Sequence, residues 1–187
     1  MPRNRAETLD YFLVHCFDRA DKIFASGRQA NNQVDLELLA DDPVAHALVR
    51  RLGTVIMDSQ PDFLVAVPNG ARWMTRILCR ELSLPEIMLS KDEHRDISYA
   101  NEGEAARITE FDNGVIVEDL FNRYTNTRKV LALPGMGERI VGACALMDRG
   151  SPADREALAI PTSVLVHTYI PEQLPPDSAY WKYAKTS

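Results

Sequence analysis

The sequence predicts an α/β domain with a mostly parallel sheet flanked by helices. Three short apolar runs, over residues 63–67, 115–117 and 140–147, have the length and the β-branched content of strands that are buried on both faces. Segments with apolar residues at helical spacing lie between these runs. Strands and helices that alternate in this way form right-handed βαβ units, which bring the strands into a parallel sheet.

Length and composition fit one domain. The chain has 187 residues, of which 45% are hydrophobic and 26% charged, and a chain of this size buries a substantial core. We expect a single domain over residues 1–187, with N-terminal helices or a hood in about 1–58, the core sheet in about 59–168 and a tail in 169–187. The three cysteines are far apart and odd in number, so a disulfide framework is not expected.

The net negative charge of the chain limits which partners it is expected to bind. The formal net charge is -6, and an acidic surface repels phosphate backbones, so we expect no nucleic acid partner. A small anionic ligand is compatible with this charge, because basic residues and helix N-termini bind anions locally. No apolar run is long enough to span a bilayer, and the first ten residues lack the apolar stretch of a signal peptide. We expect a cytoplasmic protein with no membrane partner.

Two helices are predicted before the first buried strand. Apolar residues at helical spacing predict the first helix over residues 8–24, and Ser26-Gly27-Arg28 ends it. The second helix is expected over about residues 43–57. Pro43 suits a first helical turn, and Asp42 suits the N-cap position before it.

The first strand and the elements after it form the next predicted unit. The strand over residues 63–67 ends at Pro68-Asn69-Gly70, where glycine allows the backbone to approach a ligand closely. An ordinary turn glycine is the alternative. A helix over about residues 71–82 and a short strand over residues 86–89 follow. Candidate core residues of that helix are Trp73, Ile77 and Leu78.

Residues 91–106 are polar and charged and show no periodicity. A connection of this length inside a compact domain is usually functional or disordered. Lys91 opens the segment, and charged residues follow it over 92–96, so a lid that carries cations to an anionic ligand is one interpretation. A solvated run of charges is the other. Residues 107–111 alternate as a strand does, and Asp112-Asn113-Gly114 is a turn signal.

Two adjacent carboxylates, Glu118 and Asp119, follow the buried strand over residues 115–117. Such a pair can accept hydrogen bonds from the two hydroxyls of a ribose, or attract Mg²⁺ carried by a pyrophosphate, since hard cations prefer oxygen ligands. The polar turn over residues 122–127 precedes a helix expected over about 127–133, and its N–H groups can hold a phosphate. Solvated residues at a strand-to-helix connection are an equally consistent interpretation.

The last predicted strands cover residues 140–147 and 163–168, and a tail rich in proline and aromatic residues follows. Asp148 and Arg149 stand at the end of the first of these strands. An arginine there can hold a carboxylate through a bidentate pair, or be an ordinary surface residue. Ligands of parallel sheets bind beyond the carboxyl ends of the strands, so the three polar strand ends are expected to form one site.

Taken in order, these segments resemble a known family. Residues 114–127 resemble the phosphoribosyl pyrophosphate (PRPP) motif of type I phosphoribosyltransferases, which is a hydrophobic strand, two acidic residues and a loop of small residues. Four further segments resemble orotate phosphoribosyltransferase in the same order, and the resemblance covers roughly residues 23–168. These segments are Ser26-Gly27-Arg28, residues 67–70, Ser90-Lys91 and residues 146–149.

The resemblance implies the type I phosphoribosyltransferase fold, which is Rossmann-like, with a small hood from the N-terminal segment. It implies transfer of ribose 5-phosphate from PRPP to a pyrimidine-type base, with Mg²⁺ carried by PRPP and no metal ligands of the protein's own. It also implies a homodimer in which the loop at Lys91 serves the neighbouring subunit. The implied catalytic residues are Lys91, Glu118 and Asp119, and Arg149 is the implied base-binding residue. The implied PRPP-binding residues are Asn69, Gly70, Asn122, Arg123, Thr125, Asn126 and Thr127.

The chain departs from the family pattern in the PRPP loop. Tyr124 stands where a glycine is expected, and Arg123 where a small residue is usual. A bulky residue there is expected to change the backbone path or to occupy part of the phosphate site. A second hypothesis is therefore a catalytically inactive protein on the same fold that binds a nucleotide or phosphosugar or has a regulatory role. Further departures from the pattern are at Ala25, His94, Asp96 and Glu118.

Overall fold

A five-stranded parallel sheet forms the centre of the structure, a computed structural model that describes residues 1–23 and 29–185. The helices are α1 (Arg5–Cys16), α2 (Pro43–Ile56), α3 (Arg72–Leu82), α4 (Glu102–Arg107), α5 (Thr125–Leu131) and α6 (Pro152–Glu156). The strands are β1 (Phe17–Ile23), β2 (Gln29–Val34), β3 (Phe63–Ala66), β4 (Glu86–Ile87), β5 (Leu89–Lys91), β6 (Ile97–Tyr99), β7 (Gly114–Phe121), β8 (Ile140–Asp148) and β9 (Thr162–His167).

The order of the central sheet is β4-β3-β7-β8-β9, and every neighbouring pair is parallel. All four residues of β3 are buried, and so is most of β7 and β8, as expected for strands that helices cover on both faces. One layer of the core contains α1, α2 and α3, and the other contains α5 and the segments around α4. The predicted mostly parallel α/β sheet is confirmed.

The helix α2 begins where the sequence predicts. The Asp42 carboxylate accepts a hydrogen bond from the Val44 N–H at 2.7 Å and one from the Ala45 N–H, and Pro43 occupies the first turn. The apolar stripe of α2 is buried against α3 and the sheet. In α3 the predicted core residue Leu78 is fully buried, whereas Trp73 and Ile77 are partly buried against the same cluster.

The first helix is shorter than predicted. It ends at Cys16, and the residues after it form β1, which pairs antiparallel with β2. The Phe17 ring packs against Tyr180 and Trp181 of the tail, so tertiary contacts override the local helical spacing. The β1–β2 ribbon is called the hood below. The predicted helix end at Ser26-Gly27-Arg28, and Ala25, lie outside the described residues.

The segment predicted as a long loop over residues 91–106 is largely ordered into elements. The strands β5 and β6 pair as an antiparallel hairpin, with Lys91 opposite Ile97, and α4 follows it. The predicted strand over residues 107–111 is instead a 3₁₀ turn, Ile108–Glu110. Ile108 and Phe111 both pack in the core and are three residues apart, a spacing that suits a 3₁₀ turn.

Smaller differences move strand ends. The predicted strand over residues 86–89 divides into β4, which joins the central sheet, and β5, which starts the hairpin. The strand β7 continues to Phe121, so Glu118 and Asp119 lie within it. The tail contains a 3₁₀ turn, Ala179–Tyr183, and the guanidinium of Arg19 lies 4.4 Å from the centre of the Trp181 ring. None of the described helices is long and apolar enough to cross a membrane.

Candidate functional site

Three adjoining cavities open along the carboxyl ends of β3, β7 and β8, the edge where parallel sheets bind ligands. The hairpin cavity, of about 520 Å³, is lined by residues 67–70, Glu37, Lys91, Asp92, Arg95, Glu118, Asp119 and Asn126. The loop cavity, of about 350 Å³, is lined by residues 122–126, His94, Arg95, Glu118, Leu120, Lys129 and Glu172. The tail cavity, of about 610 Å³, is lined by residues 169–173, Gln29, Asn122, Arg123, Arg149, Ser151 and Asp154.

The cavities share lining residues, which makes them one trough. Arg95, Glu118 and Asn126 line both the hairpin and the loop cavities. Asn122, Arg123 and Glu172 line both the loop and the tail cavities. The trough therefore runs from the end of β3, past the carboxylates of β7, to the end of β8.

Glu118 lies at the centre of the trough and is only 5% exposed. Its carboxylate accepts hydrogen bonds from the Thr127 hydroxyl at 2.7 Å and from the Asn126 side-chain N–H at 3.1 Å. Burial raises the pKa of Glu118 to about 7, because desolvation penalises its charged form more than these hydrogen bonds stabilise it. Thr127 itself is fully buried, so its hydroxyl orients Glu118.

Asp119 faces the turn that follows β3. Burial raises the pKa of this carboxyl to about 6. A Cβ atom added to Gly70 would lie 2.7 Å from Asp119 Oδ2, which is closer than real Cβ atoms come, so any other residue here would displace the Asp119 carboxylate. Within the described residues, neither Glu118 nor Asp119 has an Arg or Lys ion-pair partner within 4.0 Å, and the two carboxylates are therefore suited to bind hydroxyl groups or a cation.

Lys91 of the β5–β6 hairpin reaches across the hairpin cavity. Its ammonium donates to the Pro68 carbonyl at 3.4 Å and to the Asn126 side-chain oxygen at 3.3 Å. The peptide bond between Pro68 and Asn69 is cis. Burial lowers the pKa of Lys91, and the nearby Arg95 lowers it further. The hairpin thus brings its lysine to the turn after β3 and to the loop after β7.

Tyr124, at the family's glycine position, adopts a left-handed backbone conformation with φ of 57°. Its side chain is 1% exposed, its ring lies 4.7 Å from that of Phe121, and its hydroxyl donates to Asp148 Oδ2 at 2.6 Å. The tyrosine thus adopts a glycine-like backbone conformation and places its ring in the core, while the loop cavity beside it stays open. The Arg123 guanidinium points to the tail and lies 3.5 Å from the Glu172 carboxylate.

Arg149 is 4% exposed and connects three parts of the molecule at the tail cavity. Its Nη2 donates to Asn32 Oδ1 of β2 at 2.7 Å and to the Ile170 carbonyl of the tail at 2.9 Å. Its Nε also donates to Ile170 at 3.3 Å. Burial lowers the pKa of this guanidinium to about 10. The guanidinium that was predicted to face a base therefore donates several of its hydrogen bonds to the protein itself.

The structure brings all but one of the residues implied by the resemblance to the trough. Thr127 is the exception, since it lies behind Glu118. The sequence alone does not identify Glu172, which lines the trough from the tail, or Asn32 of the hood, which accepts a hydrogen bond from Arg149. No local signal identifies them, because their contacts join segments far apart in the chain. The residues at the trough are Asn69, Gly70, Lys91, Glu118, Asp119, Asn122, Arg123, Thr125, Asn126 and Arg149.

No protein-family model matches the sequence, and no curated protein does. Solved structures match the fold. Orotate phosphoribosyltransferase from Aeropyrum pernix has a TM-score of 0.64 at 18% identity, over 87% of this chain and 93% of that one. Orotate phosphoribosyltransferase from Mycobacterium tuberculosis H37Rv, in complex with PRPP, has a TM-score of 0.58 at 19% identity, over 88% and 96%.

A longer protein contains the same fold. UMP synthase from Leishmania donovani has a TM-score of 0.66 at 20% identity, over 89% of this chain, although the chain spans only 37% of that protein. The chain therefore has the type I phosphoribosyltransferase fold, a five-stranded parallel sheet flanked by helices, and the resemblance seen in the sequence is confirmed at the level of the fold.

Proposed function

We propose that this protein is a phosphoribosyltransferase that transfers ribose 5-phosphate from PRPP to a pyrimidine-type base and releases pyrophosphate. One observation carries the proposal: the carboxylates of Glu118 and Asp119 lie in a trough between the turn at Gly70 and the loop over residues 122–126. This arrangement offers hydrogen-bond acceptors for ribose hydroxyls, with polar loops on both sides for the phosphates. The fold neighbours, one of them in complex with PRPP, support this reading.

In the proposed reaction, a base nitrogen that has lost its proton to solvent forms a bond to C1 of the ribose while the bond from C1 to the pyrophosphate oxygen breaks. The pyrophosphate leaves with the bonding electron pair, so no covalent nucleophile is needed from the protein. The protein contributes positioning and electrostatic stabilisation. Glu118 and Asp119 accept hydrogen bonds from the ribose hydroxyls, and Lys91 with Asn69 and Gly70 contacts the pyrophosphate.

The 5′-phosphate of PRPP is assigned to the loop cavity, and the base is assigned to the tail cavity. Asn122, Thr125 and Asn126 bind the 5′-phosphate in the loop cavity, which Arg123, paired with Glu172, also lines. The base lies towards Arg149 in the tail cavity. Thr127 acts on the ribose through Glu118, because its hydroxyl donates to that carboxylate and it is buried.

Mg²⁺ fits this site as a companion of PRPP. No group of three or more His, Cys, Asp or Glu side chains that could hold a metal occurs in the described part of the chain. The pair Glu118 and Asp119 still supplies oxygen donors of the kind that Mg²⁺ prefers, and burial raises the pKa of both. When bound, the metal would offset the negative charge of the pyrophosphate.

The test is calorimetric titration with PRPP, with and without Mg²⁺, on the wild type and on Glu118→Gln/Asp119→Asn. We expect Mg²⁺-dependent binding by the wild type, and a loss of affinity of about hundredfold or more in the variant, since charge-assisted hydrogen bonds are removed. Glu110→Gln/Asp112→Asn is the matched control, because it removes two exposed carboxylates outside the trough. Absence of PRPP binding by the folded wild type would overturn the proposal.

Turnover is tested separately from binding. Release of pyrophosphate is measured with PRPP, Mg²⁺ and each of a panel of pyrimidine-type bases that includes orotate. Base-dependent release supports the transferase. PRPP binding without release for any base would instead support the alternative of an inactive phosphosugar-binding protein.

A further inference from the structure

The end of β8 lies directly against the loop that lines the loop cavity. The Arg149 N–H donates to the Phe121 carbonyl at 2.9 Å. A Cβ atom added to Gly150 would lie 2.5 Å from the Asn122 carbonyl oxygen, which is closer than real Cβ atoms come, so any side chain at this position would displace the loop backbone. Asn122 lines both the loop and the tail cavities. The strand end and the loop are therefore packed as one unit between the two cavities.

The Asp148 carboxylate collects hydrogen-bond donors from several elements at this point. Asp148 is 1% exposed. Its Oδ2 accepts hydrogen bonds from the Tyr124 hydroxyl at 2.6 Å and from Arg155 Nε of α6 at 2.9 Å, and it lies 3.2 Å from His167 Nδ1 of β9. Its Oδ1 accepts the Gly150 N–H at 2.8 Å. One buried carboxylate thus joins the loop to α6, to β9 and to the turn after β8.

Tyr124 supplies the loop's bond to this carboxylate. Its backbone is left-handed, with φ of 57°, a conformation that is strained for a residue with a Cβ atom. Burial raises the pKa of its hydroxyl, which therefore keeps its proton and donates it to Asp148. The residues on either side, 122–123 and 125–126, line the loop cavity. The direction in which they face that cavity depends on a backbone conformation that the hydroxyl bond holds.

We propose that Tyr124 and Asp148 are a pair of positioning residues, whose hydrogen bond sets the loop over residues 122–126 in the conformation that binds the 5′-phosphate of PRPP. The inference rests on the proposed function. A glycine adopts a left-handed backbone without an anchor, whereas a tyrosine needs contacts that offset the strain. The buried bond supplies such a contact, and it connects the phosphate loop to the strand end that precedes Arg149.

The first test compares Tyr124→Phe, which keeps the ring and loses the hydroxyl, with the wild type. Calorimetry measures the affinities for PRPP, ribose 5-phosphate and inorganic pyrophosphate. We expect the affinities for PRPP and ribose 5-phosphate to fall by about tenfold and at most about hundredfold, the range for loss of a hydrogen bond to a charged group. The affinity for pyrophosphate should stay unchanged, because residues 67–70 of the hairpin cavity are not part of this loop.

The control is Asp42→Ala, which removes the N-cap of α2 and lines none of the three cavities. It lowers stability without touching the loop, so all three affinities should stay unchanged. Unchanged PRPP affinity in Tyr124→Phe, in a wild type that binds PRPP, would overturn the inference and leave the proposed function intact. If the folded wild type does not bind PRPP, the proposed function itself fails.

The second test is a double-mutant cycle with Asp148→Asn. This variant replaces one carboxylate oxygen by an amide nitrogen, which cannot accept the donors of Tyr124 and Arg155. If the pair acts through one bond, Tyr124→Phe/Asp148→Asn should weaken PRPP binding no more than Asp148→Asn alone does. Additive losses from the two single variants would show independent roles and overturn the pair. Circular dichroism establishes that each variant is folded before it is titrated.

Discussion

At the residue scale, Tyr124 occupies a backbone conformation that usually needs glycine, and its buried side chain stabilises the loop there. Left-handed backbone conformations favour glycine, since a Cβ atom is crowded there. In this chain a tyrosine takes that conformation, and its contacts with Phe121 and Asp148 offset a cost of about 1–3 kcal/mol. The Asp148 carboxylate also accepts from Arg155 Nε at 2.9 Å and from the Gly150 N–H at 2.8 Å. The loop is thus joined to the end of β8.

Tyr124→Phe tests this anchor, because it removes the hydroxyl and keeps the ring. We expect the free energy of unfolding to fall by about 1–3 kcal/mol, since a buried carboxylate loses a short hydrogen bond. Urea denaturation followed by circular dichroism measures the change. Tyr99→Phe is the matched control, because its hydroxyl donates to the Pro134 carbonyl at a more exposed position, and it should cost less than 1 kcal/mol. Equal losses in both variants would contradict a special role for the Tyr124 hydroxyl.

At the scale of elements, local sequence patterns predict a helix or strand correctly where its own residues are sufficient to specify it. The helix α2 has a Pro-containing first turn, a carboxylate cap and an apolar stripe, and its predicted start was correct. The strands β3 and β7 are continuous apolar runs. Among the errors are β1 and the β5–β6 hairpin, which belong to two-stranded ribbons. Each is stabilised by a partner strand and by contacts with distant segments, which local periodicity does not encode.

The cap of α2 gives a prediction at this scale. Asp42→Ala leaves the N–H groups of Val44 and Ala45 without their acceptor. The free energy of unfolding should fall by about 1 kcal/mol, as for other N-cap substitutions. Asp42→Asn should stay close to the wild type, because asparagine caps helices equally well. Urea denaturation of the three proteins measures the difference, and a loss as large in Asp42→Asn as in Asp42→Ala would show that charge matters more than the cap.

At the scale of the whole molecule, the central sheet, the hood, the β5–β6 hairpin and the tail all contribute to the trough or to the residues that line it. Arg149 holds the end of β8, the hood and the tail together through Asn32 and Ile170. The hairpin is joined to α5 through Lys129. The site is consequently assembled from the sheet, the hood, the hairpin and the tail, and desolvation raises the pKa values of its two carboxyls.

The stability of the whole protein should therefore depend on pH. The folded-state pKa values of Glu118 and Asp119, about 7 and about 6, are raised above their unfolded values. The folded state then binds more protons, so the free energy of unfolding contributed by this pair is highest below pH 4 and is lost as pH rises through about 7. At about 1.4 kcal/mol for each pKa unit, the upper bound of the loss from the two groups together is roughly 6 kcal/mol.

Urea denaturation between pH 5 and pH 8 tests this dependence. The wild type should lose more stability across this range than Glu118→Gln/Asp119→Asn, which cannot ionise at these positions. The comparison isolates the pair, because all other titrating groups are common to both proteins. Parallel pH profiles of the two proteins would show that the carboxylates are not destabilised by burial.

The sequence by itself determined the α/β class, the parallel sheet, the start of α2 and the strands that carry Glu118 or precede Gly70 and Arg149. These features are encoded locally, since the apolar runs, cap residues and turn residues that specify them are adjacent in the chain. The order of the polar strand ends was sufficient to bring them to one edge, because parallel strands have their carboxyl ends on the same side.

Only the tertiary structure decided how the site is completed. It placed the ring of Tyr124 in the core, assigned Thr127 to hold Glu118, and brought Arg95 and Glu172 to the trough and Asn32 to Arg149. Each of these outcomes depends on contacts between segments that are distant in sequence, or on a backbone conformation stabilised by such contacts. Hydrophobic burial and hydrogen bonding act between groups that are adjacent in space, whereas local sequence patterns report only on residues that are near one another in sequence.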